Sequence, residues 1–212
     1  NLGLDFFGKT VPDTYFEIIQ KQHPGAEIYI MAYCMAGTLM LPWLARRAEE
    51  RMARGEPMDI WKIAVMATPV KFDDGESGHA AMRKIIREAY DPLLMKELYG
   101  EVNVPAYLIE AGMNEIQPGV QHTVSMGFYG RAYWPNAIED AAPFLYWLTH
   151  GTKFPARAHR EWLDQFFMGN ALVKGTYTLP SSVPELDGKP VRMGALDQAG
   201  VLIFCYRGTR DP

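Results

Sequence analysis

Cys34 stands between residues 27–33 (EIYIMAY), an apolar run of strand length, and a segment that begins a helix at Met35. A thiol at a strand-to-helix turn has the setting of a nucleophile elbow. The tight turn exposes the side chain, and the following backbone N–H, here that of Met35, is left free to hold an oxyanion. Small residues lie around it, Ala32 two before, Ala36 two after and Gly37 next, and they let strand and helix approach closely. The chemistry of such a site is acyl transfer through a covalent thioester. The same A-Y-C-M-A-G pattern also suits a core cysteine, since cysteine is among the most buried residue types. The local residues leave both readings open.

The five histidines offer no obvious base for that thiol. His23 and His122 lie in polar or turn-like stretches, and His79 begins a helix. His150 and His159 lie in or beside the segments that close the middle region, and a substitute base from either is the weaker expectation. Their spacing fits no common zinc pattern. Cys34 and Cys205 are too few for a zinc cluster and too far apart for a redox pair, which makes an intracellular setting the default. Cys205 is expected inside a strand, as a buried structural thiol.

The elements that must position Cys34 follow from periodicity. Thr10 and Asp13 have capping-box spacing with Pro12 in the first turn, so a helix is expected from near Thr10. Tyr15, Ile18 and Ile19 share one of its faces, and HPG at 23–25 stops it. Met35 to about Met52 reads as a long helix with a buried start, ending in the charged run RRAEERMARG. Residues 60–67 and 200–206 read as further strands, and strand, helix and strand in succession are the unit of a parallel sheet. Residues 71–157 lose that rhythm: 79–89 looks helical, and 102–157 is rich in Pro, Gly and aromatics, as in an inserted helical cap. Residues 156–172 favour a helix carrying Trp162, Leu163, Phe166, Phe167 and Leu172.

Composition narrows the classes. The 212 residues are 48% hydrophobic, enough for a real core, and 21 Lys and Arg against 25 Asp and Glu leave a net charge of −4. That balance argues against a protein that grips a nucleic-acid backbone. Residues 28–45 carry no charge over 18 positions, which a buried strand, turn and helix explain better than a membrane span. No signal peptide is visible at the start, and the first residue is not methionine.

Four segments, in order, resemble the catalytic subunit of poly(3-hydroxyalkanoate) synthases. AYCMAGTL at 32–39 looks like the family's G-x-C-x-G-G-T-L box, with alanine at 32 and 36 where the family has glycine. Residues 66–72 (MATPVKF) resemble a strand ending in V-T-P-x-D-F. Trp147, Thr152 and Pro155 in WLTHGTKFP match W-N-x-D-x-T-x-x-P, with Leu148 and His150 in place of Asn and Asp. HREWLDQFFMGNALVKG at 159–175 is similar to H-x-x-Y-L-x-x-x-Y-x-x-N-x-L-V-K-G. Gly208, Thr209, Arg210 and Asp211 fall where the family has G-x-x-D-H-I, so the resemblance implies that Asp211 is the triad acid.

The resemblance implies an α/β-hydrolase core with a parallel sheet, an elbow cysteine and an inserted helical cap, incomplete at both ends. Residues 1–70 would be the first part of the core, 71–157 the cap, and 158–212 the return to the core. The implied activity is polymerisation of (R)-3-hydroxyacyl-coenzyme A, with Cys34 as nucleophile, the Met35 N–H in the oxyanion hole, and Trp147, Thr152 and Pro155 supporting the cap. No bound cofactor is implied, coenzyme A being a substrate moiety and leaving group. The histidine is expected beyond Pro212, so the 212-residue chain alone is expected to be inactive. Implied partners are the growing polyester and a granule surface, with a homodimer or a second synthase subunit, in the cytoplasm and without nucleic acid or a membrane span. A hydrolase of the same fold, or an inactive granule- or synthase-binding protein, is the alternative.

Overall fold

In chain order the elements of the computed structural model begin with a π-helical stretch, Phe6–Thr10, that runs into α1 (Val11–Gln22). β1 (Ile30–Tyr33), α2 (Met35–Arg54), β2 (Lys62–Met66) and β3 (Asn103–Val104) follow. Next come α3 (Ala106–Ile116), α4 (Val120–Tyr129), α5 (Ala137–Thr149), β4 (Phe154–Pro155) and α6 (Ala156–Glu161). A second π-helical stretch, Trp162–Met168, precedes α7 (Ala171–Lys174), α8 (Ala195–Gln198) and β5 (Leu202–Tyr206). The structure describes residues 2–73, 103–116 and 120–208, with single positions at 84, 88, 91, 93 and 97. They divide into two units, Leu2–Phe72 with the described residues from Glu161 onward, and Asp73–Arg160.

The first unit is built on a parallel sheet in the order β1-β2-β5. Its register aligns Ile30 with Ile63 and Ile203, and Tyr33 with Met66 and Tyr206, so all three carboxyl ends lie along one edge. Parallel neighbours need a crossover, and α2 supplies the one between β1 and β2. The second unit holds α3 to α5 and a short antiparallel pair in which Asn103 faces Pro155 and Val104 faces Phe154. The expected helix at 79–89 falls largely outside the described residues, with positions 84 and 88 helical.

α2 is the main core element of the first unit. Leu39, Leu41, Trp43, Leu44, Ala45 and Ala48 are buried along it, and Gly55 ends it in a left-handed conformation, φ 69°. Its charged run is not a solvated face. Arg46, Glu49 and Glu50 are 0%, 2% and 5% exposed. Glu49 Oε2 lies 2.9 Å from Arg46 Nη1, an ion pair without hydrogen-bond geometry, while Arg46 Nη2 donates to the Lys189 carbonyl at 2.5 Å. Arg192 Nε donates to Glu49 Oε1 at 2.8 Å. Glu50 accepts from Ser181 Oγ at 2.8 Å and pairs with Lys9 at 3.2 Å, which lowers its carboxyl pKa against the opposing pull of burial. These bonds fasten the 181–192 segment and the N-terminal stretch to α2.

Two expectations are corrected, those for Thr10 and Cys205, and one expected helix face turns out to be exposed. Thr10 does not cap α1: it is already helical, its side chain makes no capping bond, and Asp13 instead accepts from Trp43 Nε1 at 2.8 Å. The face of α1 bearing Tyr15, Ile18 and Ile19 is exposed, and Phe16 is buried instead, against Trp43 and under the Arg47 guanidinium at 3.9 Å. Cys205 is exposed rather than a buried thiol, because β5 pairs along one edge with β2 and all five of its residues remain exposed.

The helix expected over 156–172 also divides in two. Leu163, Phe166 and Phe167 are buried in the π-helical stretch, and Asn170 then turns the chain with φ 52° and ψ 43°. The uncharged run 28–45 folds as β1, a turn and the first half of α2, and no helix among the described residues is long and apolar enough to cross a membrane.

The tightest approach between elements is at Gly37. A Cβ there would meet Thr68 Oγ1 at 2.1 Å, Cγ2 at 2.6 Å and Cβ at 2.9 Å, so no rotamer of Thr68 makes room. Gly37→Ala should therefore destabilise the fold by about 1 kcal/mol net, an overpacking cost of about 2 kcal/mol less the helical preference for alanine of about 1 kcal/mol. Urea unfolding measures this, and Thr68→Ala added to the same chain should recover part of the loss. Purely additive losses would contradict the close contact.

Candidate functional site

Cys34 follows the last residue of β1 and caps α2 with φ 53° and ψ −129°, a conformation that a residue with a Cβ rarely adopts. Its N–H donates to the Met66 carbonyl at 2.8 Å, extending the β1–β2 ladder by one rung, and its carbonyl accepts from Gly37 N–H at 2.9 Å. The side chain is half-buried. Met35 N–H is the first donor of α2, a position at which the helix itself offers no acceptor. A thiolate held in a strained turn can attack an electrophilic carbonyl, and the neighbouring N–H can stabilise the negative charge that develops on the carbonyl oxygen.

The ends of β2 and β5 share this edge of the sheet. Ala67 follows β2 with φ 47° and donates its N–H to the Tyr206 carbonyl at 2.9 Å, and Arg207 follows β5. The carboxyl ends of parallel strands are where open α/β sheets hold their ligands. Behind Cys34, Thr38 is fully buried and its hydroxyl donates to the Pro69 carbonyl at 2.6 Å. Asn170, 2% exposed, accepts from the Phe72 N–H at 2.7 Å. The Phe72 ring packs against Trp162 and Phe167, with centroids 5.9 and 5.4 Å away.

Among the expected site residues, the first unit gathers Ala32, Cys34, Met35, Ala36 and Gly37 at one turn. Ala32 is buried, Ala36 is exposed, and the close helix approach belongs to Gly37. Trp147, Thr152 and Pro155 lie in the second unit: Trp147 is 68% exposed on α5, Thr152 is exposed in the link after it, and Pro155 is in β4. Asp211 lies outside the described residues. Thr38, Thr68 and Asn170 are not among the expected site residues, although each lies inside one of the matched segments. Their polarity in apolar surroundings was the available signal.

His150 stacks on Tyr146 at 3.9 Å, and its Nδ1 is 2.9 Å from the Tyr146 carbonyl. His159 packs edge-on to Phe154 at 5.9 Å, and burial lowers its pKa to about 4. An imidazole that protonates so reluctantly is neutral at pH 7 and a weak base. Its folded value lies below the ordinary 6.5, so the unfolded chain takes up the proton first as pH falls. The stability it contributes is full above about pH 6.5, falls through the window down to about pH 4, and amounts to about 3 kcal/mol over that range. Urea unfolding at pH 7 and pH 4.5 should show this drop, and His159→Phe should reduce it. An equal drop in both chains would assign it to other groups.

The structure thus defines a small mixed α/β fold, with a central parallel sheet and helices, consistent with an α/β-hydrolase-like core. No family model matches the chain. It is similar over 93% of its length to the poly(3-hydroxyalkanoate) polymerase subunit PhaC of Haloarcula marismortui, with 23% identity over 198 residues. Similarity to the subunit of the same name from Haloferax mediterranei is 22% over 199 residues. The chain spans 38% and 36% of the lengths of these curated relatives.

Proposed function

We propose that this chain is the nucleophile-bearing part of a polyhydroxyalkanoate synthase-like acyltransferase that polymerises (R)-3-hydroxyacyl-coenzyme A. The observation that carries the reading is the strained Cys34 turn at the carboxyl edge of a parallel sheet, in a chain similar over 93% of its length to two polymerase subunits. Cys34 thiolate attacks the thioester carbonyl, and the Met35 N–H takes up part of the charge on the oxygen. The carbon–sulfur bond to coenzyme A breaks, coenzyme A leaves with a proton, and the acyl group remains on Cys34. The 3-hydroxyl of the next unit then attacks that thioester, transfers its proton to a base, and releases the Cys34 sulfur as the ester forms.

In this reading Asp211 orients the histidine that serves as base, or assists the incoming hydroxyl. Residues 71–157 act as the cap that keeps water from the acyl-enzyme, with Trp147, Thr152 and Pro155 among its supports. The weak basicity of His159 favours a base other than this residue. The polyester granule surface is the working location, and a second copy or a second synthase subunit is the partner.

The test is an assay on the full-length protein with 3-hydroxybutyryl-coenzyme A, following free coenzyme A and its acyl product together. Coenzyme A release with polymer supports the synthase reading. Release with free 3-hydroxybutyrate makes the protein a hydrolase, and no release leaves an interaction protein.

A further inference from the structure

We infer that Thr38 and Asn170 are positioning residues for Cys34, acting through the loop 67–72. The inference deepens the reading of Cys34 as nucleophile and rests on it. A non-glycine residue at φ 53° and ψ −129° is strained and persists only where its surroundings over-determine it. The surroundings here are the loop after β2. Met66 at its start accepts the Cys34 N–H at 2.8 Å, and Thr68 packs on Gly37 without room for a methyl group.

That loop has no regular structure of its own to hold it, and Ala67 within it has a second positive φ, 47°. Two polar side chains secure it instead. Thr38, 0% exposed and one turn along α2 from Cys34, donates its hydroxyl to the Pro69 carbonyl at 2.6 Å. Asn170, 98 residues away in sequence from its partner, accepts the Phe72 N–H at 2.7 Å in a buried position. Asn170 itself has φ 52° and is 2% exposed, and its Nδ2 is buried with no hydrogen-bond partner among the described residues. A buried amide in a left-handed turn is costly, so its acceptor bond to Phe72 is the feature that repays the arrangement. Thr38 holds the loop at its middle, Pro69, and Asn170 at its end, Phe72, while Cys34 and Gly37 meet its start at Met66 and Thr68.

The effect is readable without turnover, through alkylation of Cys34 and Cys205 by iodoacetamide in the full-length protein, resolved by peptide mass spectrometry. Cys205 is exposed on β5 and serves as the internal reference. Thr38→Val keeps the shape and removes the donor. Asn170→Gly accepts the same φ and removes the acceptor. Each should lower the Cys34 rate about 5–10-fold relative to Cys205, and Thr38→Ser, which keeps the hydroxyl, should stay within about twofold of the parent, hydrogen bonds of this kind being worth about 1 kcal/mol. A Cys34 rate that is unchanged or faster in both variants, or a change that Cys205 shares, overturns the inference, as does failure of Thr38→Ser to restore the parent rate. The outcome is independent of the proposed reaction. If Cys34→Ala kept full turnover while these alkylation shifts appeared, the positioning would stand and the nucleophile reading would fall.

Discussion

Cys34→Ala in the full-length protein is expected to lower acyl transfer by about 10⁴-fold or more, because covalent catalysis has no substitute when the attacking atom is gone. Cys205→Ser should leave turnover within about twofold, since that thiol sits exposed on the sheet's edge strand and away from the strained turn. The backbone of Cys34 gives the same substitution a second signature. Alanine inherits φ 53° with its strain, whereas glycine adopts that conformation freely, so Cys34→Gly should be more stable than Cys34→Ala by about 1 kcal/mol. Turnover assays and urea midpoints on the three variants measure both effects. Equal stability of the alanine and glycine variants would mean that the turn relaxes at no cost, against the geometry described for it.

Arg46→Ala is expected to destabilise the fold by about 3–5 kcal/mol, the range seen when one member of a buried ion pair is removed. Arg46 and Glu49 are both within 2% of complete burial, and Arg46 also donates to the Lys189 carbonyl. Removing the guanidinium leaves Glu49 with Arg192, whose side chain is 64% exposed and screened by water. The paired replacement Arg46→Met with Glu49→Leu removes both charges at similar volume, and should be far milder than Arg46→Ala or even neutral. Chemical denaturation decides between them. If the double variant were as damaging as the single one, the loss would come from packing or from the Lys189 bond rather than from a stranded charge.

The sequence made the site's scaffold legible where pattern and burial coincide. The apolar runs at 30–33, 62–66 and 202–206, with α2 between the first two, form the expected parallel sheet. The junction at Cys34 was readable because an apolar run meets small residues there. Periodicity reports faces but not which face is covered, and that explains Tyr15, Ile18 and Ile19, a genuine helix face turned to solvent while Phe16 on another face is buried. The charged run of α2 conceals the opposite case: Arg46, Glu49 and Glu50 are buried because Lys189, Arg192 and Ser181 reach them from more than 130 residues away. Cys205 reads as a core thiol in GVLIFCY, yet all of β5 is exposed. The roles of Thr38 and Asn170 are not legible in the sequence, since their bonds to Pro69 and Phe72 span 31 and 98 residues and leave no local trace.

Whether Cys34 carries the acyl group is read from a trapped intermediate. The full-length protein is mixed with 3-hydroxybutyryl-coenzyme A, quenched in acid to preserve thioesters, digested, and read by peptide mass spectrometry. A hydroxyacyl adduct is expected on the peptide containing Cys34 and not on the peptide containing Cys205, and it should be lost in Cys34→Ala. Coenzyme A release that proceeds with no adduct at Cys34 and survives Cys34→Ala would contradict that role for Cys34.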